Sequence, residues 1–189
     1  THYLGFNANM LANEMYLDSA DIRKNIVSLA KMLGYTPTSA RAPIANLDIQ
    51  INNASGPSIT MDKGTVFTST VDGTSFQFVT NEDITIQPNA GVYNFSNVNV
   101  YEGTLVSFNY TVDTSDVDQK FIIPNVNADT STLNVTVQNS AADTTTSTYT
   151  LSTEYTEILP TTKVYFLQEG EDGKFEVYFG DGVVGTALE

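Results

Sequence analysis

The sequence predicts an α+β fold that is mostly β: a short N-terminal helical segment followed by two antiparallel β units, each a sandwich or small barrel. Three observations carry this expectation. Apolar residues recur at helical spacing only near the N-terminus, at Ile22, Ile26, Leu29, Ala30 and Leu33. The period then changes to two, with Leu47, Ile49 and Ile51 alternating with polar neighbours as a half-buried strand requires. From there on, short β-branched and aromatic runs are punctuated by Asn, Gly, Asp and Thr, which favours antiparallel strands joined by tight turns.

The stretch DSADIRKNIVSLAKMLGY has both ends of a helix marked. Asp18 or Ser19 is placed to cap the first amides, and Gly34 offers a left-handed stop. Upstream, NMLANEMYL reads as a shorter helix using Leu11 and Met15, against the poor helix propensity of Asn9 and Asn13. In YTPTSARAPIA, Pro37 and Pro43 block helical continuation, so residues 1–43 form a helical segment and connector.

Strands are expected next at 58–61, 64–71, 74–80 and 84–87, with Asp72-Gly73 as a two-residue hairpin turn whose positions both require positive φ. A second group is expected at 98–101, 104–112, 120–123, 132–138, 148–153, 163–168 and 174–179. The acidic run DTSDVDQ from Asp113 loses the apolar alternation and sets a boundary: a first β unit over 44–112 and a second over 113–189, continuing beyond the sequence given. SAADTTTSTYT, from Ser140, reads either as an exposed loop or as a threonine-rich edge strand.

Charge and composition narrow the function. With 8 Lys and Arg against 22 Asp and Glu, the net charge of -14 repels phosphate backbones, so nucleic acid is not an expected partner. No window approaches the ~18 uninterrupted apolar residues of a membrane span, and THYLGFNANM lacks the basic and apolar regions of a signal peptide. Cysteine is absent, which removes disulfides, thiolate nucleophiles and Cys-ligated metals.

The remaining chemical candidates each have a plainer reading. His2 is the single histidine and lies at a terminus, so Ser-His and His-rich metal constellations are not expected. The acids Glu169, Glu171, Asp172, Asp181, Asp113, Asp116 and Asp118 suit paired-carboxylate hydrolysis or calcium in principle. DTSDVDQ, however, lacks the glycine and distal glutamate of a helix-flanked calcium loop, and a solvated acidic turn is the commoner outcome. Tyr93, Tyr101 and Tyr110 suit a sugar-binding face but also suit half-buried strand positions. No catalytic residue, cofactor or metal is therefore expected.

FGDGVVG places glycines at Gly180, Gly182 and Gly185, the G-x-G-x-x-G spacing of a dinucleotide loop. That loop works by following a buried parallel strand and opening a helix toward the pyrophosphate. Here an antiparallel hairpin precedes it, four residues follow it, and Asp181 would repel a phosphate. The expectation is a backbone turn in which Gly180 or Gly182 has positive φ, Asp181 bonds nearby amides and no helix begins at Gly185.

Two stretches together resemble the baseplate wedge proteins of T-even-type contractile-tailed bacteriophages, the group related to the Baseplate J-like proteins. They are FNANMLANEMYLDSADIRKNIVSLAKMLGYTPTSARAPIA and VYFLQEGEDGKFEVYFGDGVVGTALE. Their characteristic pieces are Leu33, Gly34, Tyr35, Thr36, Pro37, Ser39, Ala40, Arg41 and Ala42, and the turn with Gly180, Asp181, Gly182 and Gly185. Family members are considerably longer, so the resemblance implies a fragment. It also implies a structural, non-enzymatic protein of the virion tail baseplate, assembled in the bacterial cytoplasm. Its implied partners are further copies of itself, as a homo-oligomer, and other wedge subunits. The apolar stripe Ile22, Ile26, Leu29 and Leu33 is the candidate interface. The alternative reading is a β-rich carbohydrate-binding or adhesin module, and a carboxylate-based hydrolase is the third.

Overall fold

The computed structural model describes residues 2–35, 37–116 and 118–188. The chain is mostly β, with two N-terminal helices and curled antiparallel sheets that form half-barrels. It divides into two compact units, one nested in the other: Arg41–Phe108 forms the inner unit, and residues 1–40 with 109–189 form the outer. The helical segment, expected to stand apart, thus groups with the C-terminal strands. The junction anticipated between Val112 and Asp113 falls between Phe108 and Asn109.

In the nested unit the strands are β1 (Ile44–Ile51), β2 (Ile59–Met61), β3 (Val66–Val71), β4 (Thr74–Val79), β5 (Ile84–Ile86) and β6 (Tyr93–Glu102). One sheet has the order β1-β6-β4-β3, and β2 pairs with β5 in a separate ribbon. β6 buries Tyr93, Phe95, Val98 and Val100, a pattern that skips a residue after Phe95. The skip is a β-bulge: β1 pairs Leu47 with Val98 but Ile49 with Phe95, so β6 carries one extra residue. Asn97 takes a positive φ of 57° there, and its amide donates to Asp48 Oδ1 at 2.8 Å. The bulge restores the phase, so both halves of β6 face the core with Leu47, Ile49, Phe67 and Phe78.

The outer unit holds β7 (Phe121–Ile122), β8 (Val135–Gln138), β9 (Thr146–Leu151), β10 (Val164–Glu169) and β11 (Phe175–Phe179). Their order is β7-β11-β10-β9-β8, antiparallel except for a short parallel pairing of β9 with β10. Phe121, Tyr149, Tyr165, Phe175 and Val177 make its core. Helices α1 (His2–Asn13) and α2 (Arg23–Met32) precede these strands.

Three expectations need correction. Residues 104–112 form no strand, because both edges of β6 are already occupied by β1 and β4; alternation alone does not supply a ladder partner. The stretch carries Leu105, Val106, Phe108 and Tyr110 exposed. The first helix begins at His2, well before Asn9, and ends at Asn13. The Thr-rich stretch is divided: residues 140–145 are an exposed turn, as the loop reading expected, while 146–151 form β9, which lies between β8 and β10 and is not an edge.

Its leading turn is closely bonded. Asn139 N donates to Thr145 O at 3.0 Å, and the Asp143 carboxylate accepts from Asn139 Nδ2 and from Thr145 N, each at 2.9 Å. These donors, Asn139 first and Thr145 next, lower the Asp143 pKa from 3.8 to about 2. A depressed carboxylate stabilises the fold above its unfolded value and loses that contribution as pH falls through its folded one. We expect a carboxyl NMR titration of Asp143 with its midpoint near 2, and Asn139→Ala to move that midpoint back toward 3.8. A wild-type midpoint already at 3.8 would contradict the bonding described.

Candidate functional site

The outer unit gathers its polar interactions where α2 meets the end of the β10–β11 hairpin. Neither Asp18 nor Ser19 caps α2; the N-cap position is Ile22 and carries no side-chain cap. Glu14 does the work from upstream. Its Oε1 accepts from Asp21 N at 3.0 Å and Ile22 N at 3.3 Å, and its Oε2 accepts from Asn25 Nδ2 at 2.7 Å. The bond from Asn25, then that from the Asp21 amide, holds this carboxyl below its usual range. Ser19 Oγ instead donates to Asn13 O at 2.6 Å.

The C-terminal end of α2 follows the sequence. Gly34 has a φ of 79°. Gly34 N donates to Lys31 O and Tyr35 N to Ala30 O, each at 3.0 Å, the paired bonds of a Schellman motif. Tyr35 is exposed and Pro37 half-buried. Ser39 ties the connector down: its Oγ accepts from Thr130 N and lies 2.9 Å from Thr130 Oγ1, while Thr130 itself is buried. Arg41 is exposed at the first position of the nested unit. Thr36, and the side chains of His2 and Glu171, lie outside the described residues.

Glu169 is the residue that sequence reasoning missed as a structural element. By strand alternation it shares a sheet face with the core residues Tyr165 and Leu167, and its side chain is only 2% exposed. A carboxylate so placed requires charged donors. Arg23, on the first turn of α2, supplies both: Nε to Oε1 at 2.7 Å and Nη2 to Oε2 at 2.9 Å. Those hydrogen bonds, and then the charge of Glu169, raise the Arg23 pKa further. About two turns further along α2, Lys31 Nζ donates to the Glu169 carbonyl oxygen. Two cations of one helix therefore grip one residue of the sheet.

Beside this clamp opens a cleft of about 570 Å³, bordered by Ile22, Arg23, Val27, Val126, Gly170 and Asp172. Both Glu169 oxygens are taken by Arg23, so within this cleft the carboxylate acts as an anchor for α2. Among the described residues, no group of three or more His, Cys, Asp or Glu comes together. The acidic run from Asp113 is a bonded turn, with Asp113 Oδ1 accepting from Ser115 N at 3.0 Å and from Ser115 Oγ at 2.6 Å.

FGDGVVG forms a tight turn. Asp181 Oδ1 accepts from Val183 N and Val184 N, each at 2.9 Å. The Val184 amide and then the Val183 amide hold its carboxyl below the usual range. Gly182 and Gly185 have φ of 86° and 81°, and no helix begins at Gly185. Gly180 is required for another reason, because a Cβ there would lie 2.4 Å from Val184 O. Asp181 is thus satisfied by the two valine amides, and Gly182 N donates to Gly185 O at 3.1 Å within the same loop.

Of the tyrosines that suggested a sugar-binding face, Tyr93 and Tyr110 make hydrogen bonds to backbone carbonyls. Tyr93 is 1% exposed, with its hydroxyl donating to Gly56 O at 2.5 Å, and the Tyr110 hydroxyl donates to Ile122 O. Tyr101 is half-buried on β6.

The candidate interface on α2 is divided. Val27 is buried and Ile26 and Leu29 are half-buried, whereas Ile22 and Leu33, at 49% and 74% exposure, face solvent at the two ends. A larger apolar surface lies on α1 and the turn after it. Tyr3, Leu4, Phe6, Met10 and Leu11 form one stripe of that helix, and all are exposed, Tyr3 by 83%. Met15, Tyr16 and Leu17 extend it. A scan of protein-family models finds no match to the chain, and a search of curated proteins finds none either.

Proposed function

We propose that this chain is a structural component of the baseplate wedge of a contractile phage tail. It acts through association with further copies of itself and with other wedge subunits, and it carries no catalytic role. The sequence of the helix running into LGYTP-SAR-A and that of the FGDGVVG turn support the family.

The observation that carries an assembly role is the bare apolar stripe of α1. A helix normally turns its apolar face to the core, and α1 presents Tyr3, Leu4, Phe6, Met10 and Leu11 to solvent. Together with Met15 and Tyr16 they offer on the order of 800 Å², the contribution of one partner to a stable interface. The helix contains no Asp, Glu, Lys or Arg, so another acidic molecule can approach it without direct charge repulsion.

The test is sedimentation velocity over a concentration series, together with mass spectrometry of purified contractile-tailed virions. The wild type is expected to associate, and Leu4→Asp with Leu11→Asp to be monomeric at the same concentrations with unchanged circular dichroism. A wild type monomeric throughout and missing from virions would remove the reading.

A further inference from the structure

β3 and β4 form a hairpin that outruns its sheet. All six residues of β3 pair with β4, from Val66↔Val79 to Val71↔Thr74. On its other side β4 meets β6 at only Phe78↔Glu102 and Val79↔Tyr101. The outer part is therefore a two-stranded projection, in which Thr68, Ser69, Thr70, Val71, Thr74 and Ser75 are all exposed. A lone two-stranded ribbon is marginal in water. Asp72 and Gly73 hold its tip with φ of 51° and 79°.

The free edge of β3 lacks the usual protection. Edge strands are ordinarily shortened, charged, bulged or interrupted by proline. β1 carries Asp48 and faces a bulge, β7 has two residues and β8 four, whereas β3 reads VFTSTV with no charge, proline or irregularity. In a two-residue hairpin the closing pair exchanges both backbone bonds, and alternation then turns the N–H and C=O of Thr70, Thr68 and Val66 outward.

We propose that this edge pairs with the same edge of a second copy, antiparallel about a two-fold axis at Ser69. The segment is complementary to itself in that register. Thr68 meets the second copy's Thr70 as a hydrogen-bonded pair, and the reciprocal pair forms likewise, using the outward groups of both strands. On one face Phe67 lies opposite Val71, extending an apolar line that starts in the core at Phe67 and Phe78 and ends at Val71, 56% exposed. On the other face threonine meets threonine.

Charge favours the same occupant. In a chain of net charge -14, a second copy is repelled at most approaches, and VFTSTV is uncharged. The nearest acids, the two copies of Asp72, fall at opposite ends of the paired strands, about 20 Å apart, beyond the Debye length of about 8 Å. The paired area is below the roughly 1,000 Å² of a stable interface, so the association is weak and dependent on concentration.

The inference does not rest on the baseplate reading, and its test separates the two. Amide spectra of the full chain are recorded over a concentration series for the wild type, Thr68→Pro and the double variant Leu4→Asp with Leu11→Asp. Proline at 68 removes an outward N–H and leaves the β3–β4 ladder intact. In the wild type, the amides of residues 66–71 are expected to shift with concentration. A spin-labelled copy carrying Ser75→Cys is expected to broaden the same amides of an isotopically labelled copy. Thr68→Pro is expected to lose both effects while keeping the remaining amide spectrum, and the α1 double variant to retain both. Concentration-independent shifts for residues 66–71, or undiminished pairing in Thr68→Pro, overturns the proposal. Loss in the α1 variant alone would assign the association to the helix.

Discussion

Arg23→Ala is expected to destabilise the outer unit by about 3 kcal/mol, the lower end of the range for removing one partner from a buried ion pair. The low end applies because the pair is buried on one side only: Glu169 is 2% exposed and Arg23 67%. The cost arises mainly from what is left behind, a buried carboxylate on the core face of β10 that has lost both of its charge-assisted hydrogen bonds. Arg23→Lys restores a charge without the fork and is expected to fall between. Replacing both partners by methionine removes the orphan and recovers most of the loss. Amide exchange in the β10–β11 hairpin under increasing urea reads this unit without interference from the nested one. For an m-value of about 2 kcal/mol/M, the midpoint moves down by about 1.5 M. An Arg23→Ala protein as stable as the wild type would mean that the clamp contributes no stability.

Gly185→Ala is expected to cost about 3 kcal/mol, from two sources. The left-handed backbone at a φ of 81° penalises a Cβ by about 1–2 kcal/mol. The new methyl also stands 2.8 Å from Val164 Cγ2 in a buried position, which adds an overpacking cost of about 1–3 kcal/mol. Gly182→Ala separates the two terms. It shares the positive φ, at 86°, but its Cβ would meet nothing nearer than Ala187 Cβ at 3.8 Å. Only the backbone term remains, so Gly182→Ala is expected to cost about 1–2 kcal/mol. Thermal unfolding of the two variants measures the difference, and equal losses would refute the crowding against Val164.

The β elements were legible where two signals agreed. Asp72-Gly73 between alternating runs gave the hairpin, and Leu47, Ile49 and Ile51 gave β1. β6 was only half legible because its bulge at Asn97 breaks the alternation that identifies a strand, so Tyr93 and Phe95 fell out of phase with Val98 and Val100. The stretch 104–112 erred the other way, since alternation marks one face for burial and says nothing of a partner strand. The α2 cap was misplaced because Glu14, eight residues from Ile22, supplies it from outside the expected cap box.

The clamp was the least legible feature. Glu169 stands among acids that read as a solvated turn, and its burial depends on a partner 146 residues away. Within the turn at the end of the chain, by contrast, every interaction is local. Asp181 lies two and three residues from the amides it accepts, so the reading of Gly180 to Gly185 as a backbone device could be made from sequence alone.

The nesting of one unit in the other sets an order of events during synthesis. Residues 41–108 leave the ribosome as a complete folding unit, with all six strands present, before any strand of the outer unit exists. Arg23 and Lys31 must wait for Glu169, which accepts from both in the folded unit. α1 and α2 are made before every one of these strands and α2 is among the last elements to be anchored, so the closing of the clamp is the step that joins α2 to the β10–β11 hairpin.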